Sequence, residues 1–400
     1  MIKSDFKKNI IISVILSFCI FFLWKFGILY SHSLYPVVKE GRLHIFADWA
    51  FLIKLGVCHR AGFEIYYPSS CFDQVLNYGN IFLYIPYFEL LEKFYFFYFP
   101  IITGFFFIYS VVSLIKPKKF IEYFLLILII FAPPSLLVLE RGNTDILIFL
   151  IIILLVYSKS SIFNFVILTL ASLAKYYPLA LIVNFFVEKK RTIIQVMIVL
   201  SLFILSMIFL FHFTGESLQL FQYKMKVISP TWGNQFSIRA FAIILEKLQN
   251  FNYNIVLLSS YIIFGFFVII SLKALQKSYF ISKINIYSLE EKFFILGANL
   301  SISVYLISDN VHYREIFLIL LLPFIVKLKN IFEIKIFKYL FYFILLRYIF
   351  FIFSNYFILF KKYFSLLYFK AASDIVLVSL LTSICVIMNI EILKKFKKNE

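Results

Sequence analysis

The chain has little charge, few glycines and none of the loops with which soluble enzymes hold nucleotides. Only 15% of its 400 residues are charged, and 21 acids face 39 bases. No water-facing surface can be assembled from that composition, so a globular soluble protein is excluded. The 11 glycines form no Walker phosphate loop and no Rossmann pattern. A His-Glu-x-x-His motif and a serine nucleophile elbow are also missing, which argues against an ATP-driven pump and the common hydrolases. No internal repeat is visible, and this weighs against transporter folds built from two related halves. Cysteine is scarce, with four in all. Cys19 and Cys385 lie in apolar runs and read as inert core thiols. Cys58 and Cys71 share a long loop placed outside the cytoplasm, where a disulfide can persist. The alternative, a zinc ion on Cys58, His59 and Cys71, has no fourth ligand at a recognisable spacing.

What the chain does have is apolar length. Hydrophobic residues make up 62%, aromatic residues 21%, and the mean hydropathy is +0.94. Apolar runs long enough to cross a ~30 Å hydrocarbon core recur along it. The first, at 10–30, follows Lys3, Lys7 and Lys8; it is too long for a signal-peptide core and reads as an uncleaved span. A long first external loop, 31–93, follows, with 79–92 expected along the interface. Further spans are expected at 94–115, 120–139, 145–157, 161–174, 178–187, 192–211, 253–272, 290–307, 315–326, 337–353 and 373–390. The pieces at 145–157, 161–174, 178–187 and 315–326 are short for a full crossing. The expectation is an all-α polytopic membrane protein, one integral domain over 1–400, with about twelve (10–13) crossings.

The net charge of +18 does not mark a nucleic-acid binder, because the lysines sit in short loops between apolar runs. With the N-terminus inside, the cytoplasmic loops hold 21 Lys or Arg in 58 residues, against 15 in 140 residues outside. That more than threefold difference in density sets both termini inside by the positive-inside rule. The expected location is a bacterial plasma membrane.

This topology gathers the polar islands on the external face. Asp48 lies in the first loop, where a carboxylate beside aromatic residues can serve as a general base. Glu140-Arg141-Gly142-Asn143-Thr144-Asp145 is a compact turn; Arg141 offers a planar fork to a phosphate, and Glu140, Asn143 and Asp145 can hold the arginine or meet sugar hydroxyls. Lys175-Tyr176-Tyr177-Pro178 breaks a long apolar stretch. A lysine at such a break is costly unless it meets water or an anion, and a lipid phosphate is a natural partner. The loop 212–250 is long enough to form a lid or an interfacial helix. Its Asn234, Gln235 and Arg239 suit sugar and phosphate recognition. Ser308-Asp309-Asn310-Val311-His312-Tyr313-Arg314 adds a histidine able to move a proton, flanked by Tyr313 and Arg314.

An Asp in the first external loop, then Arg141-Gly142-Asn143, Lys175-x-x-Pro178, Asn234-Gln235-x-Ser237 and His312-Tyr313 together resemble the C-type membrane glycosyltransferases. The likeness is nearest to the family 87 polyprenol-phosphate-mannose-dependent mannosyltransferases. It covers about 40–330, and the order and shared sidedness of the motifs carry it. The resemblance implies inverting transfer of mannose or another hexose from a polyprenyl-phosphate donor to a glycolipid or cell-surface glycan. It makes Asp48 the base and places His312 near the phosphate or acceptor. Arg141, Lys175 and Arg239 or Arg314 become holders of the donor phosphate. No bound cofactor is implied, and no metal ligand set stands out, so metal-independent transfer is expected. The first loop departs from the pattern in its length and its cysteine pair. Two other readings stand beside this one: a lipid-linked polysaccharide polymerase or ligase, and a flippase for a lipid-linked sugar. A polymerase would concentrate arginines in one late loop; a flippase would favour charges within its spans.

Overall fold

A computed structural model describes residues 2–25, 46–63, 65, 71, 78–187, 193–213, 236–276, 288–307, 312–331, 335–356 and 365–397. Among them all regular structure is helical. In chain order the α-helices are α1 (Ile2–Lys25), α2 (Ala47–Arg60), α3 (Phe99–Ile115), α4 (Phe120–Ile130), α5 (Pro133–Glu140), α6 (Asp145–Tyr157), α7 (Ser161–Ala174) and α8 (Asn184–Val187). They continue as α9 (Ile193–Phe213), α10 (Ala240–Gln249), α11 (Tyr253–Gln276), α12 (Leu289–Ile307), α13 (Leu322–Ile331), α14 (Lys335–Tyr356) and α15 (Ser365–Lys397).

Among the described residues five stretches are long and apolar enough to cross a membrane: Phe6–Leu23, Phe94–Ile115, Ile194–Phe213, Tyr253–Gln276 and Tyr368–Lys394. A sixth arises if α4 and α5 form one crossing. The sequence reads 120–139 as a single span, but α4 and α5 diverge by 48°. Pro133 and Pro134 occupy the start of α5, where their missing N–H groups cost nothing, and they end the helix before them. Asp145–Tyr157, Ser161–Ala174 and Tyr177–Phe186 are shorter apolar helices, as their lengths in the sequence foretell. Two regions expected as spans are wound more tightly than an α-helix: Tyr177–Val183 and His312–Leu321 are 3₁₀ helices. Such runs seldom exceed four residues and often mark strain or function.

The chain divides into two compact units. The first comprises Met1–Leu76, Ile81–Leu150 and Ile344–Lys362. Here α1 lies along α3. Lys8 of α1 caps the neighbouring loop by donating to the Pro117 carbonyl at 3.0 Å. Phe107 of α3 meets Phe149 of α6 edge to face, centroids 4.9 Å apart. The first long loop is more ordered than a loop reading allows, since α2 runs through it. Its acid at the start and His59 and Arg60 in its last turn complement the helix dipole. Two fastenings hold its far end. Cys58 and Cys71 form a disulfide. Arg60 donates through Nη1 to the carbonyls of Leu83 at 3.2 Å and Ile85 at 2.9 Å.

The second unit comprises Asn77–Asn80, Ile151–Phe343 and Tyr363–Glu400. Of the unit's candidate spans, Tyr368–Lys394 of α15 is the most enclosed, with 61% of its most apolar 18-residue stretch buried, against 11% for Tyr253–Gln276 of α11. The contrast makes α15 the protein-facing helix of the pair and α11 the outward one. Two serines one turn apart bind these helices together. Ser379 donates to the Phe264 carbonyl at 3.2 Å and Ser383 to the Val268 carbonyl at 3.0 Å. Small hydroxyls of this kind join helices where apolar contact gains nothing over lipid. The sequence starts this last span at 373; α15 begins earlier, at Ser365, so Lys370 is helical.

Candidate functional site

The first constellation is made where α5 ends. Gly142, at φ +56°, leaves the helix in the left-handed region. Its N–H donates to the Leu139 carbonyl at 3.1 Å, and the Asn143 N–H to the Val138 carbonyl at 3.0 Å. These two bonds are a Schellman closure, which answers the last carbonyls of a helix. Arg141 is thereby left at the C-cap, where the helix dipole favours a cation. Asn143 then serves α6: its Oδ1 accepts the Asp145 N–H at 2.9 Å.

The start of α2 docks on this turn. Phe46 N–H donates to the Glu140 carbonyl at 2.7 Å, and Asp48 N–H to the Arg141 carbonyl at 3.0 Å. Donors left over at one helix start thus meet acceptors left over at another helix end. Phe46 takes a left-handed φ of 66°, which a bulky residue adopts only when its surroundings hold it there. Asp48, in the first turn of α2, receives three side-chain donors. Arg141 reaches Oδ1 through Nε at 2.8 Å and also through Nη2, and the Asn143 amide N–H reaches Oδ2. The carboxylate is about nine-tenths buried, while a third of the Arg141 side chain stays exposed, at 34%. A carboxylate offers about four acceptor positions, so three donors orient it without exhausting it. Trp49 backs the group by stacking on Phe99 at 4.6 Å.

This geometry brings Asp48, Arg141 and Asn143 together, although 93 residues separate Asp48 from Arg141. It also gives one expected residue a further contact. Arg141, assigned by resemblance to the donor phosphate, spends two of its donors on Asp48. Glu140 contributes its backbone carbonyl to the docking, and Asp145 is fully buried at the start of α6.

The second constellation belongs to the second unit. Lys175 ends α7 in an extended conformation, and Pro178 opens the 3₁₀ helix that follows. Its side chain is buried, 5% exposed, with Nζ 4.9 Å from the centre of the Tyr78 ring and 5.9 Å from that of Tyr177. Arg314, in the second 3₁₀ helix, lies over the same Tyr177 ring at 4.9 Å. The two 3₁₀ helices also meet through Tyr177 and Phe317, centroids 5.8 Å apart. Two cations are therefore assembled on one aromatic ring, whose face attracts a cation without cancelling its charge.

Other expected residues fall elsewhere. Tyr176 turns to Phe211, centroids 6.2 Å apart. Arg239 precedes α10, and its N–H donates to Ser237 Oγ at 3.2 Å. The segment before it docks on α12, with Ile238 N–H on the Tyr305 carbonyl at 3.1 Å. His312 and Tyr313 begin the second 3₁₀ helix; their side chains, and Asn234 and Gln235 altogether, lie outside the described residues.

Sequence reasoning missed two groups. One is Tyr78, taken as part of the long first loop, just ahead of the segment expected along the interface. The other is a buried ion cluster in which Lys370 lies 3.3 Å from Glu315 Oε1 and 3.1 Å from Asp374 Oδ2. Glu315 and Asp374 are wholly buried. A signal for the cluster exists: Lys370 and Asp374 are four apart at the start of an apolar run, the spacing of neighbours on a helix face. Among the described residues no three or more His, Cys, Asp or Glu side chains gather as metal ligands would. No family model, curated protein or solved structure matches this chain.

Proposed function

We propose that the protein is a membrane glycosyltransferase of the C-type fold, with about twelve crossings counting its short helices. It moves a hexose from a polyprenyl-phosphate donor to a glycolipid or cell-surface glycan acceptor. The reading places this chemistry on the external face of a bacterial plasma membrane. The observation that carries the reading is the oriented Asp48 carboxylate, held by Arg141 and Asn143 in a chain otherwise made of apolar helices. In this reading Asp48 takes the proton of the acceptor hydroxyl. The acceptor oxygen forms a bond to the anomeric carbon as the bond from that carbon to the phosphate oxygen breaks, inverting the centre. The leaving lipid phosphate keeps the electron pair, and a basic group stabilises its charge. Arg141 acts on Asp48, fixing the carboxylate, and His312 stands at the start of the helix that bears Arg314.

The test is transfer of labelled mannose from polyprenyl-phosphate-mannose to a membrane lipid extract by the purified protein, wild type against Asp48→Asn. Transfer that vanishes in a folded, inserted Asp48→Asn protein supports the reading. Equal transfer by both removes Asp48 from the chemistry, and no transfer from any polyprenyl-phosphate sugar sinks the enzyme. The buried Lys370 cluster within a span favours one second reading, a flippase for lipid-linked sugar. Wild-type protein that moves such a lipid across vesicles without forming a new glycoside would establish it.

A further inference from the structure

Two apolar stretches of the first unit reach the membrane boundary at one place. Phe6–Leu23 begins there and Phe94–Ile115 ends there. The two ends are fastened together. Lys8, near the start of the first, donates to the carbonyl of Pro117, just past the end of the second, at 3.0 Å. Asn9 donates to Ser113 Oγ at 3.4 Å. α4 opens at Phe120, so its start belongs to the same junction.

Lysines crowd this place. Lys7 and Lys8 come from α1, and Lys116, Lys118 and Lys119 from the short loop between α3 and α4; all are exposed. Lys116 closes α3 at a left-handed φ of 47°, with its N–H on the Val112 carbonyl at 2.9 Å. Glycine is the usual residue in that conformation, but a cation there answers the negative end of the helix dipole. Lys8 is held by neutral groups, the Pro117 carbonyl and the Tyr123 ring 5.3 Å away, and both leave it its charge. Glu122 is the carboxylate of the loop. Its Oε2 accepts the backbone N–H of Lys118 at 2.7 Å and that of Lys119 at 3.1 Å, which caps α4. Lys3 and Asp5, earlier in α1, cancel in sum, so the junction keeps a strong positive excess. Phe6 and Phe120 flank the lysines and are exposed, Phe120 at 85%. Aromatic rings beside cations suit the layer where headgroups meet acyl chains. Orientation by charge asks only for lysines somewhere in a loop; here two separate elements bring them together, and one is pinned in place.

We infer that this junction is a binding site for the phosphodiester headgroup of an anionic phospholipid. The lysines of α1 and of the α3–α4 loop gather the phosphate, and Phe6 and Phe120 enter the acyl boundary beside it. The inference is independent of the reaction proposed above: it assigns the protein a resident lipid, not a substrate.

The intact chain in a neutral detergent is titrated with phosphatidylglycerol, and bound lipid is counted by native mass spectrometry. Phosphatidylcholine with the same acyl chains should bind at least about tenfold more weakly. The pair Lys118→Gln, Lys119→Gln leaves the backbone cap of α4 intact. It should weaken phosphatidylglycerol about ten- to thirtyfold, since each lysine near a headgroup contributes a factor of about five. Lys118→Arg, Lys119→Arg keeps the charge and should bind within about twofold of wild type. Lys54→Gln, Lys159→Gln removes the same charge from exposed lysines outside the junction and should change nothing. Equal loss in the two glutamine pairs would reveal a diffuse field of charge and overturn the site. An arginine pair as weak as the glutamine pair at the junction, or equal binding of the two lipids by wild type, overturns it as well. Inorganic phosphate is the last arm: displacement of the lipid at matched concentration would assign a free-anion site and overturn the lipid assignment.

Discussion

Gly142 lets the chain leave α5 in the turn that sets Arg141 and Asn143 beside Asp48. Its φ of +56° is open to glycine, and a Cβ there would also meet Phe46 Cβ at 3.1 Å and Pro100 Cβ at 3.3 Å. Gly142→Ala should cost about 1–2 kcal/mol for the left-handed backbone alone. Displacement of Phe46 adds to that, so the melting temperature in detergent should fall by more than for Gly265→Ala, where a Cβ meets open space. A melting temperature equal to that of the Gly265 variant would show that the turn relaxes freely. At this scale the sequence was legible in part. Arg141, Gly142 and Asn143 stand out because three charges and a glycine crowd a membrane boundary. Asp48 stands out less, and its pairing with them was invisible, since nothing in a single chain records a contact across 93 positions. Tyr78 was illegible for another reason: one tyrosine among 27 carries no local signal, and its place beside Lys175 follows from the backbone approach of Gly79.

Helices explain where the buried charges stand. The second 3₁₀ helix holds Arg314 and Glu315 side by side, and Glu315 is tied to Lys370 of α15. Removing the lysine takes a cation away from two buried carboxylates. Lys370→Met should therefore destabilise the protein by about 3–5 kcal/mol. The triple variant Lys370→Met, Glu315→Gln, Asp374→Asn removes every charge of the cluster and should recover most of that loss. Thermal unfolding of both proteins in the same detergent checks the pair; a triple variant no more stable than the single one would show that the cluster is not an electrostatic unit. The type of element was readable from apolar length, and its winding was not. Residues 178–187 look like any short span, because 3₁₀ and α-helices share the same apolar composition. The helix in the first loop was missed although Asp48 near its start and His59 and Arg60 at its end are dipole signals, because only a few turns of it lie between polar stretches.

For the molecule as a whole, hydropathy foretold an all-helical membrane protein with certainty, and five or six full-length spans carry that conclusion. The other expected crossings fall on short or broken helices, whose depth no hydropathy pattern can assign. Orientation is a separate expectation with its own measurement. Single cysteines placed at position 117 and at position 86, in a background lacking the four native ones, should react oppositely with an impermeant maleimide applied to intact cells. Position 86 labels and position 117 does not, if the lysine-rich loops are cytoplasmic. Labelling at 117 alone would invert the topology and move every polar island to the other side. The bond between Cys58 and Cys71 then has a use beyond fastening α2. If position 86 labels from outside, the bond closes only after that stretch has left a reducing compartment, so it time-stamps passage across the bilayer. In a pulse-chase experiment on non-reducing gels, the half-time of its closure measures how fast a newly made chain delivers its first loop.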